Sequence, residues 1–177
     1  MSKEGFNKFI GVVVLLIVLT LIKRWFSYPY ALVWLGVITG FYLPFVDHLF
    51  YAYVVRPEAN ISKNIRSLVS IRKIKQLVRY TNEVDGQQER SIIYSAYFQA
   101  VFLLLTYYIL TSSGSLFGRG LVYGFSLRLL LEQVLQYMNT KELNKWFSEM
   151  SIVMDAHKTR VFLYANGLVL LVFTMML

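Results

Sequence analysis

The chain has 177 residues, 56% of them hydrophobic and 16% charged, with a formal net charge of +8 and no cysteine. The missing thiol excludes disulfides, thiolate metal sites, cysteine nucleophiles and S-palmitoylation, so any metal would need nitrogen and oxygen ligands. One domain's length with this apolar excess points to an all-α, polytopic membrane protein. The positive charge is therefore read against membrane topology before nucleic acid, for which no motif is present.

Residues 9–22 form an apolar run flanked by Lys8 and by Lys23 and Arg24, whose charged heads can snorkel. A span over 6–26 covers about 30 Å at 1.5 Å per residue. Lys3 and Lys8 ahead of it are also what a signal peptide carries, but the following KRWFSYPY offers no small-residue cleavage site, so an uncleaved anchor is expected. A second span runs over 29–55. Ser27 or Tyr28 ahead of Pro29 marks the helix entry, and Pro44 should bend the helix and free the carbonyl near Gly40. Just beyond, Asp47 and His48 interrupt GVITGFYLPFVDHLFYAYVVRP, and an ionisable pair inside an apolar span is a functional-site candidate by its cost alone.

Residues 56–90 are an extramembrane connection with eight Lys or Arg against Glu58, Glu83, Asp85 and Glu89. Ile61, Ile65, Leu68 and Val69 share one helical face and Ile71, Ile74, Leu77 and Val78 a rotated one, which predicts two short amphipathic helices with a break near Ser70. Lys63, Arg66, Arg72, Lys73, Lys75 and Arg79 suit anionic lipid headgroups, so anionic membrane lipid is the expected partner. Spans follow over 91–111 and 116–139, with SSGS at 112–115 as their turn. The second of them carries Arg119, Arg128, Glu132, Gln133 and Gln136 and must turn that face inward. Leu143, Trp146, Phe147 and Met150 form a stripe that predicts an interfacial amphipathic helix within 140–160. A last span, over 159–177, is interrupted by Asn166.

Five spans place the N-terminus and both basic connections on one side, with fourteen Lys and Arg there against Lys23, Arg24 and Arg119 on the other. The positive-inside bias predicts a cytoplasmic-membrane protein with its N-terminus in the cytoplasm and its C-terminus outside. Counted back from the cytoplasmic helix ends, Asp47 lies about 12 Å deep, Ser95 about 7, Gln99 about 13, Glu132 about 10 and Arg128 about 16. Asn166 is at similar depth, His157 sits at the edge, and Arg128, Glu132 and Gln136 share a face at i, i+4, i+8. Ser95, Gln99, Gln136 and Asn166 are thus expected to form a polar layer around a cavity open to the cytoplasm.

Two chemistries remain open for that cavity. Asp47, His48 and Glu132 could ligate zinc, manganese or another divalent ion and activate water. Adjacent residues on a regular helix point about 100° apart, however, so both could reach one ion only through the Pro44 bend. In the other arrangement Asp47, Arg128 and Glu132 form an ion-pair cluster that holds the bundle together. Gly118 and Gly120 are read as sites of close helix packing.

The segment GFYLPFVDHLFYAYVVRPE resembles the LPDxDH-containing segment of the membrane-bound, metal-dependent hydrolases of the inner membrane, a family that includes LexA-regulated bacterial members. IIYSAYFQ then stands where that family has a His-Ser at the start of a membrane helix, and GLVYGFSLRLLLEQ where it has a helical His followed four residues later by Asp. The resemblance, over about residues 36–136, implies the family's helical fold and a site of Asp47, His48 and Glu132. In this chain Phe45 replaces the first acid, Tyr94 and Arg128 stand at the two His positions, and Glu132 stands at the final Asp. Arg128 puts a permanent cation where the metal would sit. Three functions follow as expectations. The first is a degenerate family member whose polar site is structural or binds lipid or a partner. The second is a metal-dependent hydrolase acting on a membrane-associated substrate, with Arg128 as oxyanion or phosphate clamp. The third is a transport or channel subunit.

Overall fold

The computed structural model describes residues 3–50, 52–53, 58, 60–71, 73, 76–77, 80, 93–147 and 155–177, and for 3–9, 45–50, 60–61 and 144–145 the backbone alone. The described residues contain six helices and no strand: α1 (Lys3–Lys23), α2 (Ala31–Phe50), α3 (Asn60–Ser70), α4 (Ala96–Ser112), α5 (Leu116–Thr140) and α6 (Ala156–Met176). The chain divides into two compact units. One holds residues 1–26 and 43–91, the other 27–42 and 92–177.

In the first unit α1 is apolar on all sides from Phe9 to Ile22, with Thr20 as its one polar residue. Val12, Leu16 and Leu19, spaced i, i+4, i+7, are buried, whereas Val14, Ile17, Val18, Leu21 and Ile22 are exposed. The helix stops because Arg24 turns left-handed at φ 54° and the Trp25 N–H reaches back to the Thr20 carbonyl (3.0 Å), while the Lys23 ammonium sits over the Trp25 ring. α3 is the amphipathic helix expected at this point, and it ends at Ser70 as read from the sequence. Its Ile65 packs with Ala52 and Leu77 in a small core flanked by Leu68 and Tyr80. Most of the second amphipathic segment lies outside the described residues.

The second unit is built on α5. Ser115 caps its start by accepting from Gly118 N–H (3.1 Å), and Lys141, left-handed at φ 61°, closes its end. Ser95 caps α4 by accepting from Phe98 N–H, and Asp155 caps α6 by accepting from Ala156 N–H. These caps move the starts of two predicted spans: α4 begins at 96, not 91, and α6 at 156, not 159. Arg119, expected to face the outer side, donates from Nε to the Ser113 carbonyl (2.8 Å) and so ties down the α4–α5 turn.

The first part of α2 lies backbone against backbone on α5. A Cβ added at Gly36 would collide with the Phe117 carbonyl, at Gly40 with that of Leu121, at Gly120 with that of Val33 and at Gly124 with that of Val37. Both partner sets advance by four in the same direction, so the two helices run parallel. Gly120 therefore bears out the close-packing reading, whereas at Gly118 an added Cβ would meet the side chains of Ser115, the N-cap, at 3.5 Å and of Ser113 at 3.9 Å, both in the preceding turn.

One expectation changes. The stripe of residues 143, 146 and 147 does not form a helix lying at a lipid interface. After a short 3₁₀ turn at Asn144–Phe147, Leu143, Trp146 and Phe147 are buried, because their rings find partners on the bundle: Trp146 meets Tyr94 (5.6 Å) and Phe147 meets Phe162 (5.0 Å). Met150 lies outside the described residues. Of the five expected spans, one described helix, Ala156–Met176, is long and apolar enough to cross a membrane, and Ile10–Lys23 and Ala96–Ser112 are shorter apolar helices. α5 is long enough, but its run of charges and amides lowers its hydropathy.

Candidate functional site

The second unit buries a set of polar side chains within its apolar core, while outward faces of α4 and α6 are apolar. On α4, Tyr97, Val101, Leu104 and Tyr108 face outward, and on α6 Val161, Tyr164, Leu168, Leu171 and Met175 do, with Leu104 71% and Tyr164 76% exposed. Buried behind them are Gln99, Thr106, Ser126, Gln133, Thr159 and Asn166, among which Gln99 is 3% and Gln133 0% exposed.

Sequence spacing creates this interior. Gln99 and Thr106 lie seven residues apart on α4, Ser126 and Gln133 seven apart on α5, and seven residues return a helix to nearly the same face. The pairs meet in opposite order, Gln99 with Gln133 and Thr106 with Ser126, so α4 and α5 pack antiparallel in a single register. The two hydroxyls of Thr106 and Ser126 are 3.2 Å apart. The two glutamines exchange amide hydrogen bonds: Gln99 Nε2 donates to Gln133 Oε1 (3.4 Å), and Gln133 Nε2 donates back to Gln99 Oε1. Gln99 Nε2 also donates to Asn166 Oδ1 (3.2 Å), and Asn166 Nδ2 donates to the Phe162 carbonyl (3.0 Å), which brings α6 into the same junction. Toward the other end, the Tyr123 and Thr174 hydroxyls share a 2.8 Å hydrogen bond between α5 and α6. Phe98 and Phe102 pack on Phe125 between the two polar levels.

On a different face of α5, Arg128 Nη2 lies 2.6 Å from Glu132 Oε1, with side chains 10% and 16% exposed. The guanidinium also sits 5.0 Å over the Phe41 ring of α2, a cation–π contact that partly replaces lost hydration. Arg128 Nε has no hydrogen-bond partner among the described residues. In this i, i+4 pair the donor lies one turn before the acceptor, and the two charges neutralise each other locally.

The structure thus brings together Gln99 and Asn166 of the expected polar layer, with Arg128 and Glu132 paired beside it. Gln136 goes elsewhere: its Oε1 accepts from Trp146 Nε1 (2.9 Å), and Ser95 serves as the α4 cap. Gln133, noted in the sequence as a polar residue of the span but not placed in the layer, is its central member. The signal that finds it is the matched seven-residue spacing with Ser126. His157 is exposed in the first turn of α6. Asp47 and His48 lie within α2, but their side chains are outside the described residues, as are Arg72, Lys75 and Arg79. Lys63 and Lys73 are exposed, and Arg66 is half-buried with its guanidinium over Tyr53.

A divalent ion needs several oxygen or nitrogen donors converging on one point. Among the described residues no group of three His, Asp or Glu does so, and the carboxylate of Glu132 is engaged by Arg128. The side chains of Asp47 and His48, the other two members of the expected set, lie outside the described residues. The carboxamides are neutral, and their hydrogen bonds join three helices. No family model, curated protein or solved structure matches the chain.

Proposed function

We propose that this chain is a multi-pass protein of the cytoplasmic membrane whose polar core is a structural element, a degenerate form of the hydrolase site it resembles in sequence. The supporting observation is the 2.6 Å pair of Arg128 with Glu132, which occupies the positions where the resembled family carries two metal ligands. A guanidinium bound to the one described carboxylate of the set competes with a cation for it. The membrane reading draws its support from the outward apolar faces of α4 and α6 together with buried amides and hydroxyls that pair between helices. Five spans with a cytoplasmic N-terminus remain the topology that the basic asymmetry favours.

The test is metal content together with topology. Purified wild-type chain is expected to carry no stoichiometric zinc or manganese, and Arg128→His combined with Phe45→Asp to raise metal affinity only if the resembled geometry persists. One tightly held ion per wild-type chain, lost in Asp47→Asn and kept in Arg128→Leu, would replace this reading with the hydrolase. Because the chain lacks cysteine, single cysteines at Ser70 and Ser113 can be labelled cleanly. Labelling of both from one face would reject the five-span topology.

A further inference from the structure

We propose that the exposed side of α3, with the residues just past its end, docks on the surface of an anionic phospholipid bilayer. The proposal rests on the membrane reading above and names the lipid class that the first unit contacts.

α3 is anchored by one side only. Ser62 and Ile65 are fully buried, and the Asn64 amide donates to the Tyr80 hydroxyl (2.9 Å), which fixes the helix on the small core of Ala52, Ile65 and Leu77. The opposite side presents Lys63, Ser67 and Ser70 at i, i+4, i+7, all exposed. At the C-terminal end the exposure becomes apolar: Val69 is 36% and Ile71 59% exposed, and the exposed Lys73 follows. Near the same helix the Arg66 guanidinium lies 5.9 Å over the ring of Tyr53, which is itself 51% exposed.

The exposed parts of this segment therefore carry both cations, Lys63 and Lys73, and, at the end of α3, apolar tips, Val69 and Ile71. Lys63 has an acidic neighbour, Glu58, at 3.8 Å, but side-chain exposures of 60% and 91% make that pair weak and exchangeable for another anion. A bilayer interface satisfies both features at once: ammonium groups stay at phosphate level while Val69 and Ile71 enter the acyl boundary. Dissolved phosphate would engage the lysines and leave Val69 and Ile71 in water. A nucleic acid backbone would do the same, since it has no apolar layer to receive them.

The experiment uses the full-length chain carrying Ser70→Cys, labelled with a polarity-sensitive fluorophore and reconstituted in vesicles of phosphatidylcholine alone or of an equal mixture with phosphatidylglycerol. Blue-shifted emission, quenching by headgroup-labelled lipid and reversal by salt are expected in the anionic vesicles alone. Lys63→Gln and Lys73→Gln should each weaken docking about fivefold, the equivalent of ~1 kcal/mol per basic residue near an anionic surface. Val69→Ser with Ile71→Ser should lose the blue shift while keeping the salt dependence. Identical emission in both vesicles overturns the proposal, as does the same shift produced by inorganic phosphate or an oligonucleotide added to phosphatidylcholine vesicles. A second label at Leu168→Cys, on the outward face of α6, reads the membrane placement separately through acyl-chain quenchers. Quenching there with no response at Ser70 rejects the docking alone, and no quenching at Leu168 rejects the membrane reading itself.

Discussion

Helix α5 is held on two sides by opposite means. Toward the first part of α2 its closest contacts are backbone: Gly36 and Gly40 lie against the carbonyls of Phe117 and Leu121, and Gly120 and Gly124 against those of Val33 and Val37, each where a Cβ would be. Toward α4 and α6 it is held by side chains whose polar ends pair in register, Ser126 with Thr106 and Gln133 with Gln99 and, through it, Asn166. The glycine contact gains dispersion energy from proximity and fails when any atom is added. The amide seam gains direction from hydrogen bonds and fails when an atom is left unpaired.

The largest effect should come from filling the glycine contact. Gly40→Leu or Gly124→Leu must push the two backbones apart, and a loss of at least about 3 kcal/mol in stability, or failure to accumulate, is expected. Thermal unfolding in detergent measures it, and wild-type stability in either variant would show that the close approach is not what holds α2 to α5. Next comes the ion pair beside Phe41. Arg128→Leu or Glu132→Leu alone should destabilise by about 3 kcal/mol, since each removes one partner of a mostly buried charge pair, and the two together should recover much of the loss. Additive single effects would mean that the two charges act independently.

The amide seam should respond less. Gln99→Leu leaves the Gln133 amide without its partner and Asn166 with only the Phe162 carbonyl, and a cost of about 1–2 kcal/mol is expected in a membrane bundle. Gln99→Leu with Gln133→Leu should be no worse than the single change, because the stranded amide goes too; a double variant much weaker than either single would contradict pairwise satisfaction. The smallest effect sharpens the comparison by contrast. At Gly118 an added Cβ meets ordinary contact at 3.5 Å, so Gly118→Ala should stabilise α5 by up to about 1 kcal/mol through helix propensity. A loss there as large as at Gly40 would make glycine content in general, rather than close approach, the cause.

Much of the candidate site was legible as a set of depths. Counting residues from helix ends put Gln99, Arg128 and Asn166 near one level; Gln99 and Asn166 do meet, whereas Arg128 pairs with Glu132 on a different face of α5. Direction around the helix was not legible. Arg128, Glu132 and Gln136 share a face by spacing, yet Gln136 turns to the indole of Trp146 while its neighbour Gln133 fills the junction. One residue on a helix is a rotation of about 100°, and only the position of the neighbouring helices selects which side of α5 is interior.

Local chemistry and periodicity by themselves determined the all-helical class, the Ser-rich turn between α4 and α5, the amphipathic α3 with its end at Ser70, and a polar stripe on a long helix. Those features depend on spacing, capping residues and composition, which act within a turn or two of the chain. Tertiary structure decided what the same residues face. It buried Leu143, Trp146 and Phe147 of an expected interfacial stripe, the last two against Tyr94 and Phe162, and it separated Gly120, pressed on Val33, from Gly118, which meets only serines of the preceding turn. It also gave Arg119 the Ser113 carbonyl as its partner. Each outcome depends on which surface arrives from a distant part of the chain, and an apolar or charged side chain takes the partner that removes most of its surface from water or satisfies most of its donors.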